Sequence, residues 1–133
     1  MATGTAANAI GPNNSPSISY PFGPSSSDPQ LVSIATAPVY DAAILEFDVI
    51  PVSDTIEFRY VFGSEEYMEW AGSIFNDVFG FFMSGPNPSG GSYNNVNLAL
   101  IPGTSLPVSI NNVNLTVNGT YYFDNGDGSG TGT

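Results

Sequence analysis

Between residues 43 and 62 the chain alternates apolar and polar side chains in two runs, separated by Pro51-Val52-Ser53-Asp54. A period of two places successive side chains on opposite sides of an extended backbone, and a helix cannot satisfy it. In the run 43–50, Leu45, Phe47 and Val49 share one side, with Ile44, Glu46 and Asp48 on the other. In the run 55–62, Ile56, Phe58, Tyr60 and Phe62 share a side. The intervening Pro-x-Ser-Asp is turn chemistry. A turn centred on Val52 and Ser53 predicts an antiparallel hairpin with Phe47 opposite Phe58 and Leu45 opposite Tyr60. On its outer face Glu46 meets Arg59, a modestly favourable pair. Asp48 meets Glu57, a like-charge pair that costs stability unless solvent or a cation screens it.

The rest of the chain is read as β structure too. With 133 residues, one domain is expected. Residues 1–30 are rich in Pro, Ser and Asn and read mostly as loop, with one short strand at 17–22. Residues 31–123 are expected to form the core, with further strands at 31–35, 78–83, 96–101, 108–113 and 119–123. The Pro/Gly/Asn-rich stretch 85–95 is read as loop, and 124–133 as a flexible Gly-rich tail. Gly63 ends the second run, and Ser64 then resembles an N-cap ahead of Glu65 and Glu66, which predicts one short helix near 65–71. Gly80 interrupts an aromatic strand where a close backbone approach is expected. The predicted fold class is all-β: an antiparallel β-sandwich, jelly-roll-like, with that single short helix. Phe47, Phe58, Phe79 and Phe81 are expected in its core.

Composition narrows the chemistry. The chain has no cysteine and no histidine, so disulfides, thiolate metal sites and the commonest general base are absent. Arg59 is the sole basic side chain against twelve acids, for a net charge of -11. That balance excludes recognition of a nucleic-acid backbone and disfavours anionic membrane surfaces. Charged residues make up 10% of the chain, against about 25% in an average soluble domain, and Asn, Ser, Thr and Gly carry the polarity instead. Such uncharged, hydrogen-bonding surfaces suit an extracellular β protein. No apolar run approaches the length of a membrane span, so direct membrane insertion is not expected. Met1-Ala2-Thr3-Gly4 lacks the basic and apolar parts of an export signal, and the reading expects one to have been removed.

The acids near the predicted hairpin's end crowd into 64–77. Glu65, Glu66, Asn76 and Asp77 offer carboxylate and amide oxygens from two segments, a donor set suited to calcium. Against this, Glu65 and Glu66 could serve only the helix dipole, and Asn76-Asp77 an Asx turn. Asp124-Asn-Gly-Asp127-Gly lacks the spacing and closing Glu of a calcium loop. Carboxylate pairs such as Glu66 with Asp77, or Asp48 with Glu57, could be cast as hydrolytic, but nothing visible positions a sugar. A serine nucleophile would lack a base. Enzymatic activity is therefore not expected. Trp70 and Tyr93 lie near loops and are the candidate contacts for a glycan, within a wider aromatic set of Tyr67, Tyr121 and Tyr122. The sequons at Asn114 and Asn118 arise readily by chance in so Asn- and Thr-rich a chain.

Three strings carry a family resemblance: LEFDVIPVSDTIEFRYVFGSEEY at 45–67, FNDVFGFFMSGPNPSGG at 75–91 and ALIPGTSLPVSINNVN at 99–114. Together they resemble the choice-of-anchor L domain of secreted and surface proteins of Bacteroidetes, over roughly residues 7–125. The resemblance implies a β-sandwich module of larger exported proteins, anchored by differing C-terminal signals, and no enzymatic activity. It also implies strands beyond the Tyr121-Tyr122-Phe123-Asp124-Asn125 segment, where this chain runs instead into its Gly-rich end. An incomplete sandwich exposes a strand edge that invites pairing with itself or another surface protein. The expected function is thus a non-enzymatic extracellular or cell-surface adhesion module, calcium-stabilised and able to self-assemble. A lectin-like carbohydrate-binding module is the alternative.

Overall fold

A computed structural model describes residues 1–7 and 27–124. The expectations for 17–22 and for most of the Gly-rich tail lie outside these residues. The first regular element is a helix, α1, Pro29–Ile34. Asp28 caps it by accepting from the Leu31 N–H at 2.9 Å, and Pro29 occupies the first turn, where its missing N–H costs nothing. The strand predicted at 31–35 is therefore corrected to helix. The Asp-Pro start signal outweighed the short apolar run.

The strands are short and antiparallel. β1 (Val78–Phe79) pairs with β4 (Val108–Ser109), Val78 opposite Ser109 and Phe79 opposite Val108. β2 (Phe82–Pro86) pairs with β3 (Ser92–Asn97) in a hairpin. Its register slips between Met83 and Gly85, where the Asn95 N–H bonds the Ser84 hydroxyl at 3.0 Å instead of a ladder carbonyl. The stretch 85–95 is thus largely strand and tight turn, not the predicted loop: the Gly90 N–H reaches the Asn87 carbonyl at 2.9 Å and closes the corner. Gly80 lies between β1 and β2. A Cβ there would stand 2.5 Å from the Phe82 ring and 3.1 Å from Ile34 Cδ1, so its bare backbone admits both neighbours.

Buried apolar side chains concentrate late in the chain, at Ala99, Ile101, Ile110 and Val113, with Ser109 and Asn114 buried among them. A single bridge between Leu100 and Pro107 closes the connection that carries Ile101 inward. Beyond β4 the chain turns repeatedly, and Gly119–Tyr121 is a 3-10 helix where a strand was expected. Asn118 enters it with φ 51, a left-handed conformation that Asn tolerates better than β-branched residues. The described residues therefore form an antiparallel β structure of two small two-stranded sheets with little helix.

The hairpin at 43–62 forms no ladder. Among the described residues, this segment makes no backbone-to-backbone hydrogen bond. The register expected for its rings survives in part, with Phe47 and Phe58 centroids 6.3 Å apart. Phe58 then meets Phe81, between β1 and β2, edge-on at 4.7 Å, and Tyr60 meets Phe79 of β1 at 4.5 Å. The predicted Glu46–Arg59 pair is replaced by Arg59–Glu57 at 2.9 Å, two residues apart on the same run. An isolated two-stranded ribbon is marginal in water, and here its one cation is spent within one strand. Phe47 and Phe58 are also about half exposed rather than core.

Candidate functional site

The acidic segment hangs from the turns after β4 by side-chain hydrogen bonds. Where the short helix was predicted at 65–71, the chain instead makes irregular turns. One is closed by the Trp70 N–H to the Glu66 carbonyl at 3.0 Å, and the next by the Ser73 N–H to the Trp70 carbonyl at 2.9 Å. A run with Gly72 at φ 86 cannot continue as a helix beyond that point. Ser64 still binds at the entrance, without a helix to cap: its hydroxyl accepts from the Glu66 N–H at 3.0 Å and donates to Asp77 Oδ2 at 2.7 Å. That second bond ties the two ends of the acidic segment together.

Asn111 fixes the far side. Its backbone N–H donates to Asn76 Oδ1 at 3.1 Å, its Nδ2 to the Ser73 carbonyl at 3.0 Å, and its Oδ1 accepts from the Gly72 N–H. Asn76 Nδ2 in turn donates to Thr36 Oγ1 at 2.9 Å, and the Asp77 carbonyl accepts from the Ile110 N–H at 3.2 Å. Of the four residues expected to hold a cation, Asn76 thus spends its amide oxygen on the protein's own backbone. Glu65, Glu66 and Asp77 remain electrostatic neighbours. Glu66 has its carboxyl pushed up by partial burial first, then by the charges of Asp77, Glu65 and Glu69. Among the described residues, no three acidic side chains are gathered closely enough to hold a metal ion between them.

Tyr67, one of the wider aromatic set for a glycan, anchors the segment. Its hydroxyl donates to the Val113 carbonyl at 2.6 Å and its ring lies 5.1 Å from that of Tyr122. Burial, then Tyr122 and Asp77, push its phenol up to about 12. Asn114 is the other anchor that sequence reasoning missed as such. It is 3% exposed. Its Nδ2 donates to the Ile110 carbonyl at 2.9 Å, and its Oδ1 accepts from the N–H groups of Thr116 and Val117. A fully engaged, buried amide is inaccessible to glycan transfer, so the sequon at Asn114 is a structural motif in the folded chain. Only its Asn-x-Thr turn pattern hinted at that role.

The two candidate glycan contacts stand on different elements. Trp70 lies in the turns after Glu65, packed edge-on against Phe75 at 5.1 Å. Tyr93 lies in β3 opposite Gly85. No ring contact joins them among the described residues.

The family model for the choice-of-anchor L domain matches residues 1–131, nearly the whole chain. No curated protein and no solved structure gives a significant match.

Proposed function

We propose, from the premise that this chain belongs to the choice-of-anchor L domain family, that it is a non-enzymatic adhesion or assembly module. Its family places it among surface or secreted proteins. No helix among the described residues is long and apolar enough to cross a membrane. The observation that carries the proposal is the segment 43–62. It holds alternating apolar side chains on a backbone that, among the described residues, makes no backbone-to-backbone hydrogen bond, as an unpaired strand edge does. Pairing with a second copy or another surface protein would complete it, extending the antiparallel sheets toward the expected sandwich.

Calcium enters this reading as a stabiliser. Partial burial raises Glu66 first and the charges of Asp77, Glu65 and Glu69 second, and a divalent cation beside Glu66 and one of these neighbours would relieve the second cause. With Asn76 engaged elsewhere, water and backbone carbonyls would have to supply the remaining oxygens. The carbohydrate reading is the alternative, with Trp70 in the turns after Glu65 and Tyr93 in β3 as its contacts.

Size-exclusion chromatography with light scattering, in calcium and then in EGTA, tests the proposal. Concentration-dependent growth supports assembly, and its reversal by EGTA supports the cation's role. A monomer at every concentration, with and without calcium, sinks self-assembly.

A further inference from the structure

We propose that the segment 43–62 is a docking edge for an extended segment of another polypeptide, one that alternates apolar side chains with Lys or Arg. This rests on the assembly reading above and specifies which partner that edge takes. Among the described residues no backbone group of 43–62 bonds another backbone group, and the Ser53 hydroxyl donates to the Thr55 carbonyl at 2.9 Å, so donors and acceptors for an added strand remain along both runs. The side chains supply apolar knobs: Leu45 is 67% exposed, Ile50 90% and Val61 98%. Phe58 rests on Phe81 and Tyr60 on Phe79, with Phe47 against Phe58, so one side of the segment already has a floor.

Charge decides the occupant. Glu46, Asp48, Asp54 and Glu57 line the segment with Arg59 alone against them, and Arg59 is already paired to Glu57. A second copy would bring the same carboxylates to the same edge, from a chain of net charge -11. Like charges opposed across a strand pair destabilise it, whereas Lys or Arg opposite Glu46 and Asp48 would stabilise it and speed encounter. A basic strand therefore fits this edge better than its own copy does.

The test uses the full chain and a labelled synthetic peptide alternating Val with Lys, read by fluorescence anisotropy. Two further peptides serve as controls: one alternating Val with Glu, and a Val–Lys peptide with prolines in place of alternate valines, which keeps the charge but cannot pair as a strand. The Val–Lys peptide should bind about tenfold or more tightly than either control. Glu46→Lys with Asp48→Lys, both exposed positions, should weaken it by a similar factor while near-UV circular dichroism stays unchanged. Equal binding of the proline peptide would overturn the proposal, reducing it to bulk attraction between opposite charges. So would no binding of the Val–Lys peptide, or no effect of the double substitution. Light scattering without peptide separates the two claims. A chain that self-associates but ignores the Val–Lys peptide refutes the basic partner and leaves assembly standing; one that does neither loses both.

Discussion

Replacing Tyr67 with Phe isolates one hydrogen bond on which the acidic segment's position depends. The ring and its 5.1 Å contact with Tyr122 are retained, so only the hydroxyl is lost. That hydroxyl reaches the carbonyl of Val113, a residue 8% exposed, at 2.6 Å, and no other donor among the described residues reaches the same oxygen. Leaving a buried carbonyl unpaired costs about 1–3 kcal/mol, and in a domain of this size each kcal/mol moves the midpoint by several degrees. Y67F should therefore lower Tm by roughly 5–15 °C. The phenol adds a second, independent readout. Its value is raised from 10.0 to about 12 in the folded chain. A group with a raised folded value holds its proton longer when folded. Its contribution is complete below the unfolded value of 10.0 and is lost as pH rises through about 12. Absorbance titration should show a late-ionising tyrosine that vanishes in Y67F, along with part of the alkaline loss of stability. A Tm change under about 1 °C, with the late tyrosine still present, would refute the anchoring role of Tyr67.

Three further outcomes are expected. Asn114→Ala removes an amide that serves the Ile110 carbonyl and two backbone N–H groups, so it should cost more than about 3 kcal/mol in chemical denaturation; a loss under about 1 kcal/mol would contradict the bonding described. Glu66→Gln should stabilise the chain at neutral pH and flatten its pH profile. With the carboxyl raised above its ordinary value, stability otherwise grows as pH falls through that range, and an unchanged melting profile would count against the repulsion. Gly80→Ala forces a methyl against the Phe82 ring and Ile34, so it should cost about 1–3 kcal/mol by thermal melting, and a neutral effect would mean that both neighbours yield freely.

Much of the β character was legible in particular residues. The aromatic run 78–83 forms strand at 78–79 and 82–83 but not between, and Gly80 does sit where a side chain would collide. Ser64 accepts from the Glu66 N–H as a cap does, though the helix it was expected to start is a set of turns. The misses have identifiable causes. Asp28-Pro29 is a helix-start signal, but it lies inside a stretch whose Pro, Ser and Gly read as loop. The alternation at 43–62 located a surface without guaranteeing a ladder, because periodicity reports which side chains share a side and not whether a partner strand is present. Asn76 looked like a ligand because its amide oxygen was counted as available. Asn111, thirty-five residues away in sequence, claims it.

The sequence alone determined the family, the antiparallel character and the chemistry within reach. Family and character follow from motifs and periods that are local, and the lack of His, Cys and Lys is a matter of inventory. Only the tertiary structure decided which polar groups are used up. Tyr67 finds Val113 and Asn111 finds Gly72, Ser73 and Asn76 across long stretches of chain. An Asn- and Ser-rich chain offers many equivalent donors and acceptors, so composition cannot say which will pair. Burial decides it, because each group taken from water must find its partner in the folded geometry.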